Sequence, residues 1–204
     1  PLYSSAASDV YKRQVITLGR RAKREHLLVD PATLAKMGVG IFEIERGGDM
    51  TYHGPGQLVG YPIVFLPNGI RDVIPFVRGL EEVLIYAVKC FGVEGFRKKG
   101  FTGVWTHFGK IAAIGIAVKR HVTFHGFALN VSPFLEHFCW IVPCGIPDAP
   151  VTSLEKILGY APDKESVREA VLEGFREVFH YHIESVEEER VWKESFARQS
   201  VQTG

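Results

Sequence analysis

Cys144 stands in Pro143-Cys144-Gly145-Ile146-Pro147, among turn-forming residues and outside any periodic apolar segment. A cysteine kept for packing normally lies in such a segment, and Cys90, at the end of an apolar helical repeat, is expected to pack there. On a turn the thiol is open to a substrate, and neighbouring backbone N–H groups can point at a developing oxyanion. That pattern suits a nucleophile, with a purely structural turn cysteine as the competing reading. A free thiol ionises near pH 8.5, so only a few per cent is thiolate at neutral pH. Something must lower that pKa or take the proton. His53, His107, His121 and His125 are available as bases. Lys110 is the other option: it opens an apolar run directly after Phe108-Gly109, so its ammonium would sit at the mouth of a sheet and favour the thiolate. A solvated surface lysine is the alternative. Cys139 and Cys144 have a Cys-x4-Cys spacing, but no second ligand pair repeats it, so no metal site is expected.

A second stretch groups polar chemistry with turn formers. Arg46-Gly-Gly-Asp-Met-Thr-Tyr-His-Gly-Pro-Gly-Gln57 lies between the apolar runs Ile41–Glu45 and Leu58–Phe65. Glycines permit close backbone approach and proline fixes a turn. A loop of this kind between two strands suits a ligand site, or else an elaborate hairpin connection.

The elements that would position these residues follow from periodicity. Strands are expected at Val15–Leu18, 41–45, 58–66, 103–105, 110–118 and 121–131. Asp30-Pro31 starts a short helix ending near Gly38. Apolar residues at Val73, Phe76, Val77, Leu80, Leu84, Ala87 and Val88 give one helix face. Thr152 or Ser153 caps a short helix to Leu158, and Asp163 opens a longer one to about His180. A last strand over 181–186 and a polar helix over 187–198 would complete the chain. Strands come in runs and not in strict alternation with helices, so the expected fold class is α/β (α+β), with a mixed, mostly antiparallel sheet and flanking helices.

Of 204 residues, 46% are hydrophobic and 23% charged, enough for one domain with a sizeable core. A net charge of +1 does not suggest a nucleic-acid partner. No apolar run approaches the roughly 20 residues that span a bilayer, so no membrane partner is expected. Three widely spaced cysteines argue against a disulfide framework and for a reducing, cytoplasmic compartment. Basic clusters at Arg20–Arg24, Arg97–Lys99 and Lys119–Arg120 read as solvated surface or as docking sites for an acidic protein. No Gly-x-x-x-x-Gly-Lys-Ser/Thr phosphate loop or Gly-x-Ser-x-Gly elbow occurs, and the Gly54/Gly56/Gly60 spacing misses the dinucleotide fingerprint by one residue.

Three blocks, RGGDMTYHGPGQLVGYPIV (46–64), KIAAIGIAVKRHVTFHGFALNV (110–131) and PCGIPDAPVTSL (143–154), resemble the lipoyl(octanoyl) transferases in order and spacing. The resemblance implies a fold like the catalytic domains of biotin and lipoate protein ligases. It implies transfer of an octanoyl or lipoyl group from acyl carrier protein to a lysine of lipoyl domains, in 2-oxoacid dehydrogenases and the glycine cleavage H protein. It makes Cys144 the acyl-thioester nucleophile and Lys110 the residue that lowers its pKa and handles its proton. Arg46, Gly47, Gly48, Asp49, Met50, Thr51, Tyr52 and His53 then match a substrate-contacting loop, while Ala113, Ile114, Gly115, Gly126, Phe127 and Ala128 match the segments lining the acyl group. Small residues there would leave room between strands for an eight-carbon chain. His53 and His125 read as orienting groups or as satisfied structural histidines. The acyl donor arrives activated, so neither ATP nor a metal cofactor is expected, and a monomer is expected. Family members precede Val-x-Thr-Leu-Gly-Arg with Glu-His-Pro-Pro and an earlier strand and helix. Residues 1–14 match none of this and resemble a translated sequencing-adapter tract, so a non-native leader on an N-terminally truncated chain is expected, with 15–204 forming a single catalytic domain. An ATP-dependent lipoate-protein ligase and a non-catalytic carrier-protein-binding module are the rival readings.

Overall fold

The computed structural model describes residues 14–142 and 150–184. Residues 1–13 of the expected leader over 1–14, Cys144 with its turn, and the C-terminal strand end and helix beyond 184 lie outside the described residues.

The chain begins with β1 (Val15–Leu18), whose Ile16 is fully buried. After a 3-10 turn at Arg24–His26, α1 (Pro31–Lys36) starts where Asp30 accepts a hydrogen bond from the Thr33 N–H at 3.1 Å, with Pro31 in the first turn. β2 (Gly40–Glu43) returns parallel to β1, and β3 (Met50–His53) pairs antiparallel on its other side, giving a three-stranded sheet of order β2-β1-β3. The stretch 46–57 is therefore not one continuous loop. Met50 and Tyr52 point inward and Thr51 and His53 outward, the alternation of a half-buried strand. Met50 and Tyr52 join Ile16, Leu34, Phe138 and Ile141 in a small core of their own.

β4 (Gln57–Gly60) ends well before Leu66, because Pro62 has no N–H to continue the ladder. The chain touches the sheet once more, at a bridge between Phe65 and Val122. A 3-10 turn at Gly69–Asp72 leads into α2 (Val73–Lys89), which buries Phe76, Leu80, Val83, Leu84, Ala87 and Val88. Cys90 is the C-cap of α2 and is exposed, so it does not pack as expected, because the chain turns away at that residue.

β5 (Phe96–Lys98), β6 (Phe101–Thr106), β7 (Gly109–Lys119) and β8 (Val122–Asn130) follow. With β4 they form a second, wholly antiparallel sheet of order β4-β8-β7-β6-β5. A 3-10 stretch, Leu135–Trp140, occupies the region read as loop. α3 (Leu154–Leu158) is capped by Ser153, whose Oγ accepts from the Lys156 N–H at 3.1 Å, and it ends on left-handed Gly159. α4 (Lys164–Phe179) is capped by Asp163, which accepts from the Ser166 N–H at 2.9 Å. Residues 181–184 form no strand.

α2 and α4 pack on one face of the larger sheet, over Ile111, Phe127 and Leu129, and that is where the main core sits. The fold class is the expected mixed, mostly antiparallel α/β arrangement with flanking helices, divided into two sheets. Among the described residues no helix is long and apolar enough to cross a membrane.

Candidate active site

β7 and β8 bring the two expected acyl-lining segments into direct register: Ala113 opposite Ala128, Ile114 opposite Phe127 and Gly115 opposite Gly126. Side chains alternate across a strand, so Ile114 and Phe127 join the main core under the helices while the small residues line the other face. The space those glycines leave is not open. A Cβ at Gly126 would lie 2.0 Å from the Gly60 carbonyl oxygen, and one at Gly115 would lie 2.8 Å from Arg46 Cδ and 2.9 Å from the Gly47 oxygen. Small residues at 115 and 126 let a strand end and a loop press against the sheet. The expectation that they leave room for an acyl chain is corrected at these two positions.

The loop that occupies this face is pinned by Arg46. Its guanidinium is buried and donates through Nη2 to the Thr17 carbonyl at 2.7 Å and to Thr17 Oγ1 at 3.0 Å, and through Nη1 to the Gly47 oxygen at 3.1 Å. The Gly47 N–H donates to the Ile116 carbonyl at 2.9 Å, so the loop joins the smaller sheet to β7. Gly48 carries the left-handed backbone of the turn (φ 93°) and accepts from the Arg21 N–H at 3.0 Å. Asp49 Oδ1 accepts from the Met50 N–H, and Oδ2 lies 2.6 Å from His26 Nδ1. Thr51 pairs with Thr17 across β1 and β3.

Tyr52 is fully buried. Its phenol is hydrogen-bonded to His137 Nδ1 at 2.9 Å, and its ring meets Phe138 and Trp140 edge-on. Burial pushes its pKa up to about 12 and lowers that of His137. Tyr52 thus builds the small core. Burial, and next the Arg46 charge, lower His53 to about 4, so its imidazole is neutral at physiological pH. His125 is lowered by the same two causes in the same order, and it sits at φ 61°, uncommon for a residue other than glycine.

His53 begins a chain of hydrogen bonds that ends at Lys110. His53 Nδ1 donates to Gln57 Oε1 at 3.2 Å, and Gln57 Nε2 donates to Asn130 Oδ1 at 2.9 Å. Asn130 Nδ2 donates to the Thr152 carbonyl at 3.0 Å, and the Thr152 N–H to the Lys110 carbonyl at 3.0 Å. Gln57, Asn130 and Thr152 are all buried.

Lys110 is itself buried, at 6% exposure, which overturns the surface-lysine reading. Its Nζ lies 5.4 Å from the centre of the Trp105 ring, and its stem runs where a side chain at Gly103 would be, 2.7 Å from that Cβ position. Glu81, fully buried on α2, holds Gly103 by accepting its N–H at 3.0 Å. Lys110 also grips one described end of the segment that carries Cys144: its N–H donates to the Pro150 carbonyl at 2.8 Å, and it bridges Val151 in parallel. The other described end is fixed to the smaller sheet. The Val142 N–H donates to the His26 carbonyl at 2.8 Å, and Ile141 bridges Leu27.

Of the other histidines, His107 faces Glu94 at 3.6 Å on the surface, and His121 sits at the far end of β7 from Lys110 with Nδ1 3.2 Å from the Leu66 carbonyl. The sequence alone does not single out Thr17, His26, Gln57, Glu81 or Asn130 for the site, and it offers Thr152 only as a helix cap. Gln57, Asn130 and Glu81 each carried a signal, being polar residues inside otherwise apolar strand or helix faces. His26 carried none beyond its place in a basic stretch.

Two sheets joined by a glycine-rich loop, with a buried lysine on the middle strand of the larger one, define a class of α/β fold. The family described as Lipoyl protein ligase A/B catalytic domain matches residues 10–176. An octanoyltransferase from Caldicellulosiruptor saccharolyticus is 53% identical over 167 residues, covering 81% of this chain and 71% of its own. One from Alkaliphilus metalliredigens is 50% identical over 175 residues, covering 85% and 80%. A crystal structure of lipoate-protein ligase A bound with ATP superimposes with a TM-score of 0.72 over 92% of this chain and 77% of that one, at 17% identity, a likeness of fold. The chain belongs to the lipoyl protein ligase A/B family and, within it, to the octanoyltransferases.

Proposed function

We propose that this chain transfers an octanoyl group, in lipoate biosynthesis, from acyl carrier protein to a lysine of a lipoyl domain by way of a thioester on Cys144. The observation that carries the mechanism is Lys110: a buried lysine, hydrogen-bonded through its backbone to the described end of the segment holding Cys144. The Cys144 thiolate attacks the donor thioester carbonyl, and the carrier's thiolate leaves and takes up a proton. The acceptor amine then attacks the acyl-cysteine, forming the amide, releasing the thiolate and giving up its own proton. Lys110 favours the ionised sulfur and passes the proton in each half. Exchange of one thioester for another is nearly isoenergetic and amide formation is downhill, so the reaction needs no ATP. The loop held by Arg46 and Gly47 lies against the small-residue face of β7 and β8, where Ala113 and Ala128 pair, and this face borders the acyl group. A monomer in the cytoplasm, without metal, completes the reading.

Mass spectrometry on the chain mixed with octanoyl carrier protein in nucleotide-free buffer tests it. A mass gain of one octanoyl group is expected in the wild type and none in Cys144→Ala. An unchanged adduct in the variant removes Cys144 from the mechanism, and transfer that requires ATP favours a ligase. Lys110→Ala is expected to shift the pH profile of Cys144 alkylation upward; a profile identical to wild type sinks the role of Lys110.

A further inference from the structure

The three basic clusters, alike in sequence, are separated by the fold. Arg97 is committed to Glu81 and Glu82, and Lys98 lies over the Trp105 ring at 4.6 Å, so that cluster builds β5 and β6. Lys119 and Arg120 close the β7–β8 hairpin. Nine residues of strand, roughly 30 Å at about 3.3 Å per residue, separate them from Lys110.

The third cluster is different. Arg20, Arg21, Lys23 and Arg24 are exposed, and among the described residues Lys23 alone of the four has an ion-pair partner, Glu25 at 3.5 Å. Their backbone is tied to the candidate site on both sides. The Arg20 N–H donates to the Arg46 carbonyl at 3.1 Å and the Arg21 N–H to Gly48, while His26, two residues on, receives Val142.

We propose that Arg20, Arg21, Lys23 and Arg24 are the docking surface for the acyl donor, an acidic carrier protein that presents its thioester on a phosphopantetheine arm. This rests on the acyl-transfer reading above. Four cations against one carboxylate at a site's rim steer an acidic partner and speed encounter. Three are arginines, whose planar fork grips a phosphodiester through paired hydrogen bonds.

The test compares two donors, octanoyl carrier protein and octanoyl-pantetheine, which lacks both protein and phosphate. Arg20→Gln/Arg21→Gln/Arg24→Gln is expected to raise KM for the carrier donor at least tenfold, to abolish its dependence on salt between about 0.05 and 0.5 M, and to leave kcat/KM for octanoyl-pantetheine within about twofold. Lys119→Gln/Arg120→Gln should change neither. The proposal is overturned by an unchanged carrier KM, by equal loss with both donors, or by a rise confined to KM for the lipoyl domain. Fluorescence anisotropy of labelled carrier protein gives the binding constant independently of turnover. If the wild type transfers from neither donor, the acyl-transfer reading fails, while the binding loss in the arginine variant still decides the surface.

Discussion

His53 is a histidine kept from its usual titration. Its folded pKa of about 4 lies below the ordinary value near 6.5, so between those two pH values the unfolded chain binds the proton more readily. The contribution to stability is intact above about pH 6.5 and is lost as pH falls towards 4. His53→Gln should therefore flatten the decline of the melting temperature over that interval while changing it little at pH 8. Thermal melts at half-unit pH steps check this, and parallel curves for variant and wild type refute it. The cause is local: the half-buried ring loses solvation and feels the charge of Arg46, whose own position is set by Thr17. Neither the burial nor the Thr17 contact can be read from Tyr-His-Gly, although the clustering of Arg46, Asp49 and His53 did mark the stretch as polar and organised.

At the level of elements, the β4 end and β8 approach so closely that Gly126 is a fixed requirement. A methyl group there would lie 2.0 Å from the Gly60 carbonyl oxygen, a backbone atom, and 2.7 Å from Pro62 Cδ. Gly126→Ala should cost about 3 kcal/mol, at the upper end of overpacking penalties, measured by urea unfolding; a loss below about 1 kcal/mol would mean the strands part freely. The helices were legible because their caps are local chemistry: Asp30, Ser153 and Asp163 each accept the backbone N–H three residues on. β7 and β8 were legible from their β-branched and aromatic runs. β3 was obscured by its glycine-rich flanks, although Met50 and Tyr52 alternate correctly. The division into two sheets was not legible at all, since it depends on β1 pairing with residues 25 to 38 positions away. Lys110 was named, but its burial follows from the gap at Gly103 and from Trp105, contacts that no spacing along the chain reveals.

For the molecule as a whole, the two sheets are joined where the chemistry is expected: through Arg46–Gly47 onto β7, and at the two described ends of the Cys144 segment, one on each sheet. The junctions at the ends of the Cys144 segment depend on backbone groups, so side-chain changes nearby should disturb them little, while the first also needs the Arg46 guanidinium on Thr17. The relay from His53 through Gln57, Asn130 and Thr152 to Lys110 is the exception, because two of its links are side-chain amides. Every link donates in the same sense, so the relay behaves like a row of aligned dipoles with a fixed polarity. A carboxylate at position 130 keeps the shape and breaks the polarity, setting an acceptor against the Thr152 carbonyl. Asn130→Asp, an exchange of one amide for one acid, should thus destabilise the fold by about 2 kcal/mol or more and slow acyl transfer, whereas the coarser change at exposed Lys99 to Asp should do neither. Denaturation and turnover of the two variants, compared side by side, would reveal whether direction matters more here than size.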